Sequence, residues 1–294
     1  MSKLIVRIKG GLGNQLFCYA AARRLALVND AELIIDDVSG FARDSQYRRQ
    51  YALDKFNISA RKATPAERLE PLERYRRALW KMRCKRKPFV QRSYLEQVGI
   101  DFDERLLDVK VSNKLYLDGL WQSENYFKDM EQVIRDDLQI EVPQDAANLR
   151  IAAEIKNNLS VSLHVRWFDS CNVAGSHNAS TEYYRQAIEL MESRFESPRY
   201  FVFSDNIEAA REKLDLPMNR VRFVSHNDGD ENAYADLWLI SQCRHFVTAN
   251  STFSWWGAWL GGELDKIVVT PGLNVDGKAA WGFRGLIPPG WISL

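Results

Sequence analysis

Three short polar clusters each follow an apolar run that reads as a strand. His164, Arg166 and Asp169 follow residues 161–165; Ser204, Asp205 and Asn206 follow 200–203; Asn250, Ser251, Thr252 and Ser254 follow 246–248 and open a helix. Together they carry the groups needed to hold a nucleoside diphosphate. Arg166 can pair with a diphosphate through two parallel charge-assisted bonds, which Lys cannot do. Ser251 and Thr252, at a helix start, offer hydroxyls and backbone N–H groups to the same phosphates. Asp205 can accept from a base that presents an N1–H beside an amino group, which points to guanine rather than adenine. Each residue also has a plainer role: Ser251 or Thr252 as a helix cap, Asp205 as a turn residue, His164 as a core histidine. In a parallel α/β sheet ligands bind beyond the carboxyl ends of the strands, and all three clusters occupy that position.

A fourth cluster lies near the start. Gly10-Gly11-Leu12-Gly13-Asn14-Gln15-Leu16-Phe17 joins an apolar run, 3–8, to a helical pattern over 15–29. Glycines let a ligand approach the backbone, and the helix N-terminus supplies N–H groups and a positive dipole end. Gly11, Gly13 and the amide of Asn14 are the candidate ligand contacts. Leu16 stands where a dinucleotide fingerprint needs its third Gly, so that fingerprint is disfavoured.

These clusters need an alternating framework. Strands are expected at 31–36, 114–117, 161–165, 200–203, 221–224, 246–248 and 267–269. Helices are expected at 146–157, 181–195, 207–213, 233–243 and 252–260, with a loop and then a helix over 122–138. This is α/β layering in two Rossmann-like domains, 1–148 and 149–294. Residues 40–92 are polar, rich in Arg and without a clear period.

Composition narrows the class further. With 294 residues, 46% hydrophobic and a net charge of +1, the chain reads as globular, with no nucleic-acid signature. Cys18, Cys84, Cys171 and Cys243 are far apart and form no zinc spacing; Cys18 and Cys243 sit in apolar helical patterns as buried thiols. No apolar run approaches the roughly 20 residues of a membrane span. A soluble, cytoplasmic protein is the expectation. Two acidic triplets, Asp101-Phe102-Asp103 and Asp228-Gly229-Asp230, admit a rival in which a divalent cation holds the diphosphate. A second rival is a non-catalytic glycan- or nucleotide-binding relative, with Trp255, Trp256 and Trp259 stacking on sugars.

The motifs resemble those of the α-1,2-fucosyltransferases. The resemblance is carried by the Gly10–Phe17 run, His164-Val165-Arg166, Phe203-Ser204-Asp205, the run from Asn250-Ser251-Thr252-Phe253-Ser254 through Trp255-Trp256-Gly257-Ala258-Trp259-Leu260, and Gly119-Leu120-Trp121-Gln122-Ser123-Glu124-Asn125-Tyr126-Phe127. It spans nearly the whole chain in order. It implies a GT-B fold, two Rossmann-like domains facing across a cleft, with an acceptor-side first domain and a GDP-fucose-binding second domain. It implies transfer of L-fucose from GDP-β-L-fucose to the 2-hydroxyl of a terminal galactoside, with inversion and without a metal or other cofactor. By motif position, His164 and Asp205 would touch guanine, with Ser204 beside them. Arg166 would hold the β-phosphate, Asn250, Ser251 and Thr252 the pyrophosphate, and Asn14 the fucose or β-phosphate.

One departure matters. The family pattern H-x-R-R-x-D carries a second Arg, often with Gly before the Asp and Tyr after it; here Trp167, Phe168 and Ser170 fill those places. Arg166 and Asp169 are the catalytic candidates, Asp169 as the base for the acceptor hydroxyl or as a partner of Arg166. Residues 74–92 hold nine Arg and Lys and no acidic residue. They are expected either to touch anionic lipid at the inner face of a membrane, as would suit a lipid-linked glycan acceptor, or to form a solvated helix paired with Glu67, Glu70 and Glu73.

Overall fold

The computed structural model describes residues 1–166, 179–262, 265–272 and 284–294. The chain divides into two compact units: Met1–Gln139 with Arg284–Leu286, and Ile140–Phe283 with Ile287–Leu294. The division at Gln139 falls ahead of the 148/149 boundary expected from the sequence. The helix that begins at Ala146 belongs wholly to the second unit, where Asn148 bonds Asn227 at 2.9 Å.

The first unit contains β1 (Ser2–Arg7), α1 (Leu12–Val28), β2 (Ala31–Asp36), β3 (Arg61–Lys62), α2 (Glu73–Cys84), β4 (Tyr94–Glu96), β5 (Lys114–Asp118) and α3 (Glu131–Asp137). Among the described residues its sheet has the order β3-β2-β1-β5-β4, every neighbouring pair parallel. β1 is a continuous apolar run because both faces of a parallel sheet are covered; Leu4, Ile5 and Val6 are buried. Burying each contributes roughly 1.5–3 kcal/mol. α1 starts three residues earlier than expected. Gly11 already caps it, and its carbonyl accepts from the amides of Asn14 (2.9 Å) and Gln15 (3.1 Å). Gly13 therefore lies inside the first turn, not in a loop. The two arginines that interrupt this apolar helix are paired, Arg23 with Asp137 at 2.7 Å and Arg24 with Asp129 at 2.6 Å.

The second unit contains α4 (Ala146–Lys156), β6 (Ser160–Val165), α5 (Thr181–Arg194), β7 (Arg199–Ser204), α6 (Ile207–Lys213), β8 (Val221–Val224), α7 (Ala233–Ser241), β9 (His245–Val247), α8 (Thr252–Leu260), β10 (Val268–Thr270) and β11 (Ile292–Ser293). The order is β11-β10-β9-β6-β7-β8, again parallel throughout. β6 is buried along its whole length and lies between β7 and β9, so the ends of these three strands are neighbours. Gly257 lets α8 lie close to α7, since a Cβ there would meet Ile240 at 2.3 Å. Trp255, Trp256 and Trp259 are buried, with the first two rings 5.0 Å apart and Trp255 also 5.5 Å from Trp291. They are core side chains that fix α8, not a sugar-stacking platform.

Candidate active site

Arg166, directly after β6, joins the other two strand ends. Its guanidinium Nη1 donates to the Ser251 hydroxyl at 3.3 Å, and its Nε lies 3.7 Å from the Asp205 carboxylate. The Ser251 hydroxyl also accepts from the Phe253 amide at 3.3 Å, which makes it the N-cap of α8. Thr252 is the first residue of that helix. Arg166, Asp205 and Ser251, 85 residues apart at the extremes, thus form one group at a helix N-terminus. The Arg166 side chain is 24% exposed and that of Asp205 42%, so both remain accessible to a ligand. Ser204 accepts from the Asn206 amide at 3.0 Å, and Asn206 caps α6 through the Ala209 amide at 3.0 Å; these two shape the turn that presents Asp205.

His164 and Asn250 are buried close to the same strand ends, and each holds a polar atom, Nδ1 of His164 and Oδ1 of Asn250, with no hydrogen-bond partner among the described residues. Burial, reinforced by the Arg166 charge, pushes the His164 imidazole down to about 3. His164 is therefore neutral at ordinary pH, able to donate at one nitrogen and accept at the other. Unsatisfied buried polar atoms are costly and call for an explanation; a ligand is one that suits two of them in a polar site.

A third group at this edge escaped the sequence reading. Beyond β8, Asn227 donates to Asp236 on α7 at 2.8 Å and to Asn148 at 3.0 Å, and His226 bonds Asn148 at 3.0 Å. Burial pushes the Asp236 carboxyl up to about 7, against the lowering effect of the Asn227 bond. The available signal was a lone carboxylate inside an otherwise apolar run, Ala235-Asp236-Leu237-Trp238-Leu239-Ile240.

In the first unit, Asn14 accepts from the Gln122 side chain at 2.7 Å. Gly10 sits at φ +78, and a Cβ there would stand 2.8 Å from the Asn14 Nδ2, so glycine is required both by the backbone and by the amide it makes room for. The Gln15 side chain anchors the turn by donating to the carbonyls of Gly10 (2.9 Å) and Gln50 (2.8 Å). A Cβ at Gly11 would meet only Arg49 at 3.9 Å, so Gly11 is not sterically demanded. At the neighbouring strand ends Asp118 binds Lys9 at 2.9 Å, Arg7 at 3.1 Å and the Tyr94 hydroxyl at 2.9 Å. Burial alone would raise the Asp118 carboxyl; the two cations and the tyrosine bond outweigh it and hold it below the usual range. Asp118 closes β5 as Asp205 follows β7, yet the sequence reading ended that strand at Leu117.

Asp169, with Trp167, Phe168, Ser170 and Cys171, lies outside the described residues. Cys18, Cys84 and Cys243 are free and buried, and burial pushes the Cys18 thiol up to about 12. The first acidic triplet is engaged by protein groups: Asp101 accepts from the Arg284 amide at 2.9 Å, and Asp103 pairs with Arg105 at 2.6 Å. No group of three or more His, Cys, Asp or Glu that could hold a metal ion occurs among the described residues. No helix among them is long and apolar enough to cross a membrane.

The sequence pattern of Glycosyl transferase family 11 matches residues 3–280. An alpha-1,2-colitosyltransferase of Escherichia coli is 28% identical over 283 residues, covering 92% of each chain. The O-antigen biosynthesis glycosyltransferase WbnK of Escherichia coli is 30% identical over 286 residues, covering 90% of this chain and 92% of its own. Among solved structures, the NodZ alpha-1,6-fucosyltransferase of Bradyrhizobium, in a crystal soaked with GDP-fucose, superposes with a TM-score of 0.51 at 16% identity, covering 89% of this chain and 93% of its own. At that identity the likeness concerns the fold, which is of the GT-B type with two parallel-sheet α/β units.

Proposed function

We propose that this chain, which belongs to glycosyl transferase family 11, moves L-fucose from GDP-β-L-fucose to the 2-hydroxyl of a terminal galactoside, with inversion and without a metal. The observation that carries this reading is the placement of Arg166 between the cap of α8 and Asp205. Breaking the fucose–phosphate bond leaves the β-phosphate with growing negative charge and the sugar with oxocarbenium character. A guanidinium already positioned beside a helix N-terminus meets that charge without reorganising. When the donor binds, Arg166 turns its paired N–H groups to the diphosphate. Asp205 is then released to accept from the N1–H and amino group of guanine. Neutral His164 and Asn250 satisfy their buried polar atoms on the nucleotide without adding charge. Asp169 takes the acceptor proton or steadies Arg166. The acceptor is a galactose-terminated glycan bound on the first unit.

A second reading keeps the chemistry and changes the sugar to a colitosyl group, and the colitosyltransferase relative favours it. The test is release of GDP when purified protein is mixed with GDP-fucose and a simple β-galactoside in EDTA. GDP should appear only when both substrates are present. Release from a colitosyl donor alone selects the second reading, a requirement for added Mn²⁺ removes metal independence, and silence with every donor marks a non-catalytic relative.

A further inference from the structure

The helix α2 packs on the core through Cys84 and Trp80, yet it buries a charge and leaves apolar side chains outside. Its buried residues are Arg77 and Cys84, seven apart and so on one face. Tyr75 and Met82, also seven apart, lie about 200° around the helix from them and are 64% and 58% exposed. A helix that spent all its apolar residues on a core would leave neither of these exposed. On its inner face Trp80 packs 5.7 Å from Tyr94 and 6.0 Å from Tyr116 and donates to the Ser93 hydroxyl at 2.9 Å.

Cations flank the outward apolar stripe on both sides. By helical angle Arg74 and Lys85 lie along one side, Arg76 and Arg83 along the other, and Arg86 and Lys87 continue past the helix end; all six are exposed. None of them forms an ion pair with a carboxylate among the described residues. Two of the three acids expected to neutralise this stretch are engaged elsewhere, Glu67 with Arg61 at 2.7 Å and Glu70 with Arg68 at 2.7 Å, and Glu73 forms no ion pair with it among the described residues.

We propose that this face of α2 is a docking surface for an anionic lipid bilayer, with Tyr75 and Met82 entering the headgroup boundary and the six cations resting on lipid phosphates. An apolar centre between two basic flanks is the arrangement of a helix lying in a membrane interface. A nucleic acid would place its phosphates where the apolar stripe stands, and the chain as a whole carries only +1. For a glycosyltransferase of the proposed function, the contact would hold the enzyme at a surface that displays lipid-linked acceptors.

The experiment is sedimentation of the full chain with phosphatidylcholine vesicles with and without phosphatidylglycerol, at low and high salt, with no sugar nucleotide present. A negative result therefore leaves the donor reading untouched. The chain should pellet with the phosphatidylglycerol vesicles only, and less so in high salt. Replacing Lys85, Arg86 and Lys87 by Ala should weaken partitioning about 100-fold. The pair Tyr75→Ser and Met82→Ser should weaken it about tenfold or more. GDP release on a soluble acceptor should be unchanged in both variants, which also shows that they fold. Absence from anionic vesicles at low salt overturns the proposal. So does equal pelleting by the variants and the parent, or binding of an RNA oligonucleotide as tight as that of the vesicles.

Discussion

Arg166 reaches the Ser251 hydroxyl across the boundary between two neighbouring parallel strands, so the residue that follows β6 is fastened to the residue that caps α8. Removing either partner separates a catalytic effect from a structural one. Arg166→Ala should lower turnover by about 10²–10³-fold, the loss typical of one preorganised donor. Arg166→Lys should also be poor, because Lys lacks the planar fork. Steady-state GDP release measures both. Turnover of the Ala variant close to the parent's would remove Arg166 from the chemistry.

Ser251→Ala removes an N-cap as well as the Arg166 anchor. The cap should cost about 1 kcal/mol of stability, visible in a denaturant midpoint. The lost anchor should raise KM for the donor. A variant with unchanged KM would show that Ser251 serves only the helix.

Gly10→Ala and Asn14→Ala should differ in kind. Alanine at a positive φ costs about 1–2 kcal/mol, and its Cβ would also push on the Asn14 amide. Gly10→Ala is therefore expected to lower both Tm and turnover. Asn14→Ala breaks the Gln122 bond without straining the backbone and should lower turnover with Tm kept. Equal losses of Tm in the two variants would make Asn14 a structural residue.

His164 and Asp236 bend the pH dependence of stability in opposite directions. The His164 imidazole is pushed down to about 3 in the fold, from about 6.5 in the unfolded chain. Its contribution is complete above about pH 6.5 and is lost as pH falls toward 3. The Asp236 carboxyl is pushed up to about 7, from about 3.9 unfolded. Its contribution is complete below about pH 4 and is lost as pH rises through 7. In a series of urea titrations across this range, Asp236→Asn should flatten the decline between pH 4 and 7 while leaving the acid limb. An unchanged slope would mean that Asp236 is ionised in the fold.

The second half of the chain was legible because its strands are short apolar runs set between helical patterns, and each polar cluster follows such a run. Arg166, Asp205 and Ser251 could be placed on that signal alone. The stretch from 40 to 92 resisted because nothing in it buries a periodic apolar face: β3 consists of Arg61 and Lys62, both exposed, and the buried residues of α2 are Arg77 and Cys84. Asp236 was hidden for a different reason. A single carboxylate in an apolar helix leaves the periodicity intact, and only three dimensions show the Asn227 amide that bonds it.

The return of Arg284–Leu286 to the first unit has a practical meaning for anyone who cuts this gene. The Phe102 amide donates to the Arg284 carbonyl at 2.9 Å and the Ser123 hydroxyl to the Gly285 carbonyl at 2.5 Å. An expression clone that stops after residue 139 would strip both acceptors from the fragment. The amino-terminal piece is thus not a segment that scissors can free with one snip; a faithful excision has to splice those three late residues back in.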